Sequence, residues 1–175
     1  MSSGSASLRP PRACSTSAAL SVGEFIAACQ RWLARPYAPW APEQFDAAVF
    51  RAVARLAQTR LTVLSEITRY VDWLFLAQPP EDEASWAKVT RPGAAAILAS
   101  VRTGWAGADW TAEALRDGLA AAAAEHGLKL AKAQAPVRVA VTGRAVGLPL
   151  FESVEVLGRE RTLARIDAAA AKLPG

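Results

Sequence analysis

The chain has 175 residues, a hydrophobic content of 52% and a formal net charge of +4. This length suits one domain or two small subdomains, with a core that needs no disulfide staples. Its one histidine, His126, and its two cysteines, Cys14 and Cys29, exclude a Cys/His zinc cage and an H-E-x-x-H site, so no metal site is expected. The nucleotide-binding patterns G-x-x-x-x-G-K-S/T and G-x-G-x-x-G are also missing.

The first segment, residues 1–20, is rich in Ser, Pro and Arg and contains no acidic residue and no apolar periodicity. We therefore expect a disordered tail. The same composition is typical of an organellar transit peptide, which leaves a cytoplasmic or an organellar location open. Two cysteines favour a reducing compartment. No apolar run approaches the roughly 20 residues that a bilayer span needs, so no membrane partner is expected.

The next segments predict helices. Forty residues are alanine, the best helix former, which predicts an all-α fold. A capping box at 21–24 begins the first helix, and Pro36 ends it. Pro42 is predicted to lie in the first turn of a second helix, whose apolar stripe runs over 45–56. Thr62 is predicted to cap a third helix.

A polar, proline-containing break at 77–83 separates these helices from the rest. Short helices are predicted around Trp86 and over 93–101. A longer helix is predicted to begin at the Thr111 cap and to run to His126.

One stretch is ambiguous, because 137–141 alternates and is β-branched like a strand. A lone strand would leave its edges unpaired, so we predict a helix that begins at Pro136. A Gly/Pro loop over 143–149 follows. A final helical region over 150–173 is predicted to be interrupted at Gly158.

The basic excess is concentrated at the C-terminal end. Residues 129–175 contain eight basic and four acidic side chains, whereas 1–128 contain twelve of each. Such a local field suits a polyanion such as nucleic acid, and a solvated helix face is the alternative. The same two interpretations apply to Arg159, Arg161 and Arg165 on the last helix.

Several motifs, taken in chain order, resemble the C-terminal anticodon-binding region of bacterial glutamyl-tRNA synthetases. They are T-R-L-T-V-L-S-E-I (59–67), D-W-T-A-E-A-L (109–115), R-V-A-V-T-G (138–143), L-F-E-S (150–153) and L-G-R-E-R-x-L-x-R (157–165). The resemblance covers residues 21–173. It implies an all-helical cage of two small subdomains, which we place at 21–104 and 105–175.

The resemblance also implies which residues bind RNA. An arginine that reads the first anticodon base falls on Arg60, and one that contacts the third base falls on Arg138. The loop that cups the middle base falls on Gly147, Leu148 and Leu150. Sequence-specific proteins read unstacked RNA bases by hydrogen bonding and stacking, and arginine does both.

Beside this loop, Arg144 is assigned to RNA binding as a phosphate contact, and the alternative is that it has no role in binding. Phosphate contacts give affinity without sequence information. An arginine at the first-base position, Arg60, implies a preference for the glutamate over the glutamine anticodon.

The signatures of the synthetase catalytic half are missing, since one histidine cannot form H-I-G-H and no run resembles K-M-S-K-S. The resemblance therefore implies a module that binds the tRNA(Glu) anticodon loop for a catalytic half outside this chain, and a separate synthetase chain is one candidate for that half. ATP and Mg²⁺ would belong to that half, so no catalytic residue, cofactor or DNA partner is expected here. The alternative is a free-standing paralogue or remnant that acts as a protein-interaction module without RNA binding.

Overall fold

A computed structural model describes residues 19–173, and this part of the chain contains nine α-helices and no strand. The helices are α1 (Val22–Cys29), α2 (Ala47–Gln58), α3 (Ile67–Phe75), α4 (Glu83–Val89), α5 (Ala94–Ala106), α6 (Ala112–Glu125), α7 (Leu130–Thr142), α8 (Leu150–Leu157) and α9 (Arg159–Ala170). The predicted all-α fold is confirmed. Within 19–173, every helix is too short or too polar to cross a membrane.

Side-chain caps determine where the first two helices begin. Ser21 and Glu24 form the predicted capping box, in which the Glu24 N–H donates to Ser21 Oγ and the Ser21 N–H donates to Glu24 Oε2. Pro42 was predicted to begin α2, but it lies in a separate 3-10 turn. The helix begins at Ala47 because the Asp46 carboxylate accepts two N–H groups of the first turn, at 2.7 and 3.2 Å.

The predicted Thr62 cap of α3 is wrong. The N–H groups of Thr62 and Val63 instead donate to Glu66 Oε2, at 3.3 and 3.4 Å, and a 3-10 turn precedes α3. The acidic side chain therefore organises the turn between α2 and α3, and α3 begins at Ile67.

The ambiguous stretch 137–141 is helical, as predicted, but α7 begins earlier, at Leu130, and contains Pro136 in its interior. Proline has no N–H, so one helical hydrogen bond is lost there. The side chains of Val137, Val139 and Val141 are all fully buried. Helices α4, α5, α6 and α9 all contact α7, so both of its faces are covered and its valines do not follow the usual one-sided helical pattern.

One continuous core joins the helices of residues 19–173. Aromatic rings of Trp40, Phe45 and Phe75 form its N-terminal part, with centroids 4.8 to 6.2 Å apart. Helix α5 lies against α6, α7 and α9, and α8 contacts α2 as well as α6. The division at 104/105 stays a prediction. The predicted tail at 1–20 lies outside the described residues, apart from its last two positions.

Candidate nucleic-acid interface

Two arginines from distant parts of the sequence lie near enough for the charge of one to affect the other. Arg60 lies in the exposed turn after α2, and Arg138 lies half-buried in α7. Burial lowers the pKa of Arg138, the positive charge of Arg60 lowers it further, and the carboxylate of Glu152 acts in the opposite direction. The fold therefore brings together the two positions that the sequence assigned to the first and third bases.

The guanidinium of Arg138 lies against the loop that follows α7. Its Nη1 donates to the carbonyl oxygen of Leu148 at 2.8 Å. A Cβ on Gly147 would lie 3.8 Å from the same nitrogen, so this loop position lies directly beside the charged group. Within residues 19–173, the other N–H groups of Arg138 have no hydrogen-bond partner, which leaves donors for an incoming acceptor.

The remaining predicted loop residues are buried. The side chains of Leu148 and Leu150 are each only 2% exposed and pack in the core. Of the three predicted loop residues, only Gly147 is partly exposed to an incoming base. Val146, which the sequence did not single out, is 77% exposed and is the apolar side chain that this loop presents to solvent.

Arg144 is held by the protein itself. Its Nη1 and Nη2 donate to Oδ1 and Oδ2 of Asp72, both at 2.8 Å, and Nη1 also donates to the carbonyl oxygen of Arg69 at 2.8 Å. The side chains of Arg144 and Asp72 are 18% and 7% exposed. Asp72 compensates the charge that was predicted to meet phosphate. The phosphate contact itself stays a prediction.

A cleft of about 170 Å³ opens between α3 and this loop. It is lined by Glu66, Arg69, Tyr70, Arg144 and Val146. A smaller hollow beside it continues to the loop glycine at 147. Four of the five lining residues were missed in the sequence, although positions 66, 69 and 70 have the i, i+3, i+4 spacing of one helix face.

The first half of the loop is fixed to the start of α4. The N–H of Ala145 donates to Ser85 Oγ at 3.0 Å, and the N–H of Asp82 donates to the Gly143 carbonyl at 3.2 Å. Hydrogen bonds from Ser85 lower the pKa of Asp82, which caps α4. Gly143 has φ +76°, and a Cβ there would lie 1.6 Å from the Pro80 carbonyl oxygen. Only glycine fits this approach.

The arginines of α9 bind the protein's own carbonyl groups. Arg165 is buried, and its guanidinium donates to the carbonyls of Val141, Trp73 and Leu76 at 2.7 to 2.8 Å. Burial, followed by the charge of Arg161, lowers the pKa of Arg165 to about 10. A solvated face, one of the two interpretations from the sequence, is therefore wrong for Arg165.

The two neighbouring arginines act in the same way. Arg161 donates to the carbonyls of Leu74 and Leu76, at 2.8 and 2.9 Å, and Arg159 donates to two carbonyls at the end of α5. Carbonyls at helix C-termini lack partners within the helix and carry partial negative charge. Three of the eight basic side chains in 129–175 thus cap α3, α5 and α7 from outside.

The family comparison agrees with this helical architecture. The family model for "Anticodon binding domain" matches residues 24–170. The chain belongs to this family. The match covers all nine helices apart from the first residues of α1, so the whole of this anticodon-binding domain, and not one motif, carries the similarity.

The anticodon-binding domain is similar to part of bacterial glutamate–tRNA ligases. It is 61% identical over 155 residues to the enzyme of Streptomyces coelicolor. The aligned region makes up 88% of this chain and 31% of that protein. It is 58% identical over 163 residues to the enzyme of Salinispora arenicola. Here the aligned region makes up 89% of this chain and 34% of that protein. The chain thus spans about a third of the length of these relatives, and it corresponds to their C-terminal region.

Solved structures share the fold. A crystal structure of a glutamate–tRNA ligase from Elizabethkingia meningosepticum, in complex with its amino acid, superposes on 90% of the anticodon-binding domain with a TM-score of 0.73 and 22% identity. The superposed region makes up 30% of the Elizabethkingia meningosepticum chain. The glutamate–tRNA synthetase of Elizabethkingia anophelis gives a TM-score of 0.67 at 21% identity. The helical arrangement is therefore the same although four fifths of the residues differ.

Proposed function

We infer that this domain binds the anticodon loop of a tRNA and selects tRNA(Glu) for aminoacylation. The observation that carries the proposal is the position of Arg138, whose Nη1 lies against the loop at Gly147 and Leu148 and whose pKa is lowered by the nearby charge of Arg60. Membership of the anticodon-binding family supports it, as does the identity to glutamate–tRNA ligases.

The proposed roles follow from the chemistry of each group. Arg60, exposed on its turn, reads the first anticodon base. Arg138 reads the third, because its N–H groups that do not bind Leu148 can donate to a base edge. The middle base contacts the loop at Gly147, because Leu148 and Leu150 are almost fully buried. Arg144 contributes a phosphate contact through N–H groups that Asp72 does not engage.

Chemistry and partner selection are separate in this proposal. Glutamate activation, with ATP and Mg²⁺, belongs to the catalytic part of a glutamate–tRNA ligase. This chain recognises the tRNA for that catalytic part. That part can be carried by a separate chain. The similarity to bacterial translation enzymes supports a cytoplasmic location.

The test is equilibrium binding of tRNA(Glu) and tRNA(Gln) at one stated salt concentration, with Arg60→Ala and Arg138→Ala. We expect the wild-type domain to prefer tRNA(Glu), and each variant to lose roughly 1–3 kcal/mol of that discrimination, by analogy with base reading in DNA. Arg116→Ala is the matched control, because Arg116 is exposed on α6 and lines neither the cleft nor the loop.

Equal affinity for both tRNAs, unaffected by either substitution, would overturn base reading. A loss of affinity that is the same for all RNAs, with a smaller salt dependence, would reassign the arginine concerned to phosphate. Recovery of a protein partner without tRNA from the host would favour the protein-interaction alternative.

A further inference from the structure

We propose that the cleft between α3 and the loop after α7 is a subsite for one unstacked nucleobase of the bound RNA loop, separate from the positions of Arg60 and Arg138. The proposal rests on the proposed function, and it adds a fourth base contact to it. Neither of those arginines lines the cleft. The cleft lies next to both, since Tyr70 in its lining contacts the Arg60 carbonyl, and the adjoining hollow reaches Gly147 beside Arg138 Nη1.

The size of the cleft suits a single heterocycle. Its volume of about 170 Å³ is below the ~300–1,000 Å³ of sites for drug-sized ligands. A dinucleotide or a peptide segment is therefore too large. Its location between a helix and a loop that is fixed by Gly143 and Ala145 means that the walls are already formed in the free protein.

The lining offers an aromatic and an apolar surface. Tyr70 is half-buried, and its hydroxyl donates to the Arg60 carbonyl at a long 3.5 Å. Tyr70 lines both the cleft and the adjoining hollow. Val146 leaves most of its side chain in water. A planar base gains stacking on the ring and removes the valine from water, and every base has a face that can stack.

The lining also offers an acceptor and donors. Glu66 uses Oε2 for the N–H groups of Thr62 and Val63, and no hydrogen bond engages Oε1 within residues 19–173. Arg144 uses three of its five N–H groups, on Asp72 and the Arg69 carbonyl. Each of the four nucleobases has both an N–H group and an acceptor atom, so each can pair with such an acceptor and donor together.

The carboxylate of Glu66 decides between a base and a bare phosphate. An anion in the cleft would meet this carboxylate, while the charge of Arg144 is already compensated by Asp72. Arg69 is exposed at the mouth and suits the phosphate of the same nucleotide. The arrangement therefore accommodates a neutral ring inside and its negative backbone outside.

The experiment uses the full chain and a hairpin RNA that carries the anticodon stem and loop of tRNA(Glu). Each loop nucleotide outside the anticodon is replaced in turn by an abasic one, and binding is measured with wild type, Tyr70→Leu, Tyr70→Phe and Glu66→Gln. We expect one abasic position to weaken wild-type binding roughly 5- to 150-fold, the range of one base–aromatic stack. Tyr70→Leu should lower the affinity for the intact hairpin by a similar factor. Its affinity for the hairpin with that abasic position should be no lower than for the intact one.

Two comparisons keep the result specific. Tyr70→Phe preserves the ring and should bind like wild type, whereas Glu66→Gln should bind the intact RNA more weakly than the matched control Glu125→Gln on α6. Circular dichroism checks that Tyr70→Leu is folded; if it is not, the abasic RNA series with wild type and Glu66→Gln retains the test. The cleft proposal is overturned if the losses of affinity caused by the abasic nucleotide and by Tyr70→Leu are additive at every loop position. It is also overturned if Tyr70→Phe lowers the affinity as much as Tyr70→Leu does.

The two proposals fail in different ways. If Arg60→Ala and Arg138→Ala abolish selectivity while cleft variants bind as wild type does, only the cleft proposal is wrong. If the arginine variants also bind both tRNAs as wild type does, the proposed function is wrong, and the cleft proposal falls with it.

Discussion

Asp72 and Arg144 form a two-pronged ion pair that ties α3 to the loop after α7, with Nη1–Oδ1 and Nη2–Oδ2 both at 2.8 Å. The two partners lie 72 positions apart in the sequence. Asp72 also accepts the N–H of Trp73 at 2.7 Å, so its carboxylate is fully engaged. A rigid pair of this kind holds one wall of the cleft without help from RNA.

Removal of Asp72 should destabilise the fold. Asp72→Ala leaves the guanidinium of Arg144 without its partner, and we expect a loss of unfolding free energy near the lower end of the roughly 3–5 kcal/mol seen for broken buried pairs, because Arg144 keeps some access to water. Urea denaturation measures the change.

The double variant Asp72→Ala/Arg144→Ala should recover part of that loss. The matched control is Asp167→Ala, which breaks the exposed pair with Arg102 and should cost less than about 1 kcal/mol. Equal losses at the buried and the exposed pair would contradict the assignment of a structural role to Asp72.

Gly143 should not tolerate a side chain. Gly143→Ala places a Cβ 1.6 Å from the Pro80 carbonyl oxygen at φ +76°, so the loop or the segment before α4 must move. Strain of this kind costs about 1–3 kcal/mol before the clash is counted. We expect a lower denaturation midpoint and weaker RNA binding.

A second glycine provides the contrast. Gly104 lies inside α5, and a Cβ there meets nothing within 4 Å. Gly104→Ala should therefore raise the unfolding free energy by roughly 0.5–1 kcal/mol. If the two alanine variants have the same stability, the close approach at Gly143 is not a constraint in solution.

Arg165 should behave as a structural residue and not as an RNA contact. Arg165→Met removes donors from three carbonyls, and hydrogen bonds from charged groups contribute roughly 1.5–3 kcal/mol each before compensation. We expect a large drop in thermal stability. At a temperature where the variant is folded, the salt dependence of RNA binding should match that of wild type.

The outcome that would reverse this assignment is a smaller salt slope for Arg165→Met than for wild type, since that is the mark of a lost phosphate contact. Arg116→Ala, with its exposed side chain, provides the reference slope.

Cys29 should make stability fall at high pH. Burial raises the pKa of its thiol from 9.0 to about 12. Between these values the unfolded chain loses the Cys29 proton and the folded chain keeps it, so the contribution to stability is complete below pH 9 and is lost as the pH rises toward 12. The slope attributable to Cys29 is about 1.4 kcal/mol per pH unit in that window.

Urea unfolding at pH 8 and pH 10 tests this, with Cys29→Ala as the reference for all other groups that titrate there. Cys29→Ala should be less stable at pH 8, because it leaves a cavity in the core, but its stability should fall less between the two pH values. If the stability of wild type and of Cys29→Ala falls equally between the two pH values, the Cys29 thiol has the same pKa in the folded and unfolded states.

Local chemistry in the sequence was enough for the helical class and for several boundaries. The Ser21–Glu24 box and the break at Gly158 depend on residues within a few positions of each other, and both are confirmed. Two predicted helix starts were wrong, because another side chain forms the hydrogen bonds there. Asp46 caps α2, which does not start at Pro42, and Glu66 organises the turn before α3, the helix that Thr62 was expected to cap.

The site divides in the same way. Sequence similarity to a family was enough to single out Arg60 and Arg138, because both lie in motifs whose order along the chain is preserved. It could not find the cleft, since Glu66 and Tyr70 become neighbours of Val146 only when α3 meets the loop.

The composition, the spacing of apolar residues and the caps by themselves determined an all-α chain, because helix formation is governed by neighbours along the sequence. Only the tertiary structure decided what the cationic side chains do. Arg144 and Arg165 have the same guanidinium group as Arg60, but one meets a carboxylate, one meets three carbonyls and one meets solvent. The packing of distant helices sets those partners, and electrostatic interactions depend on distance in space rather than on position along the chain.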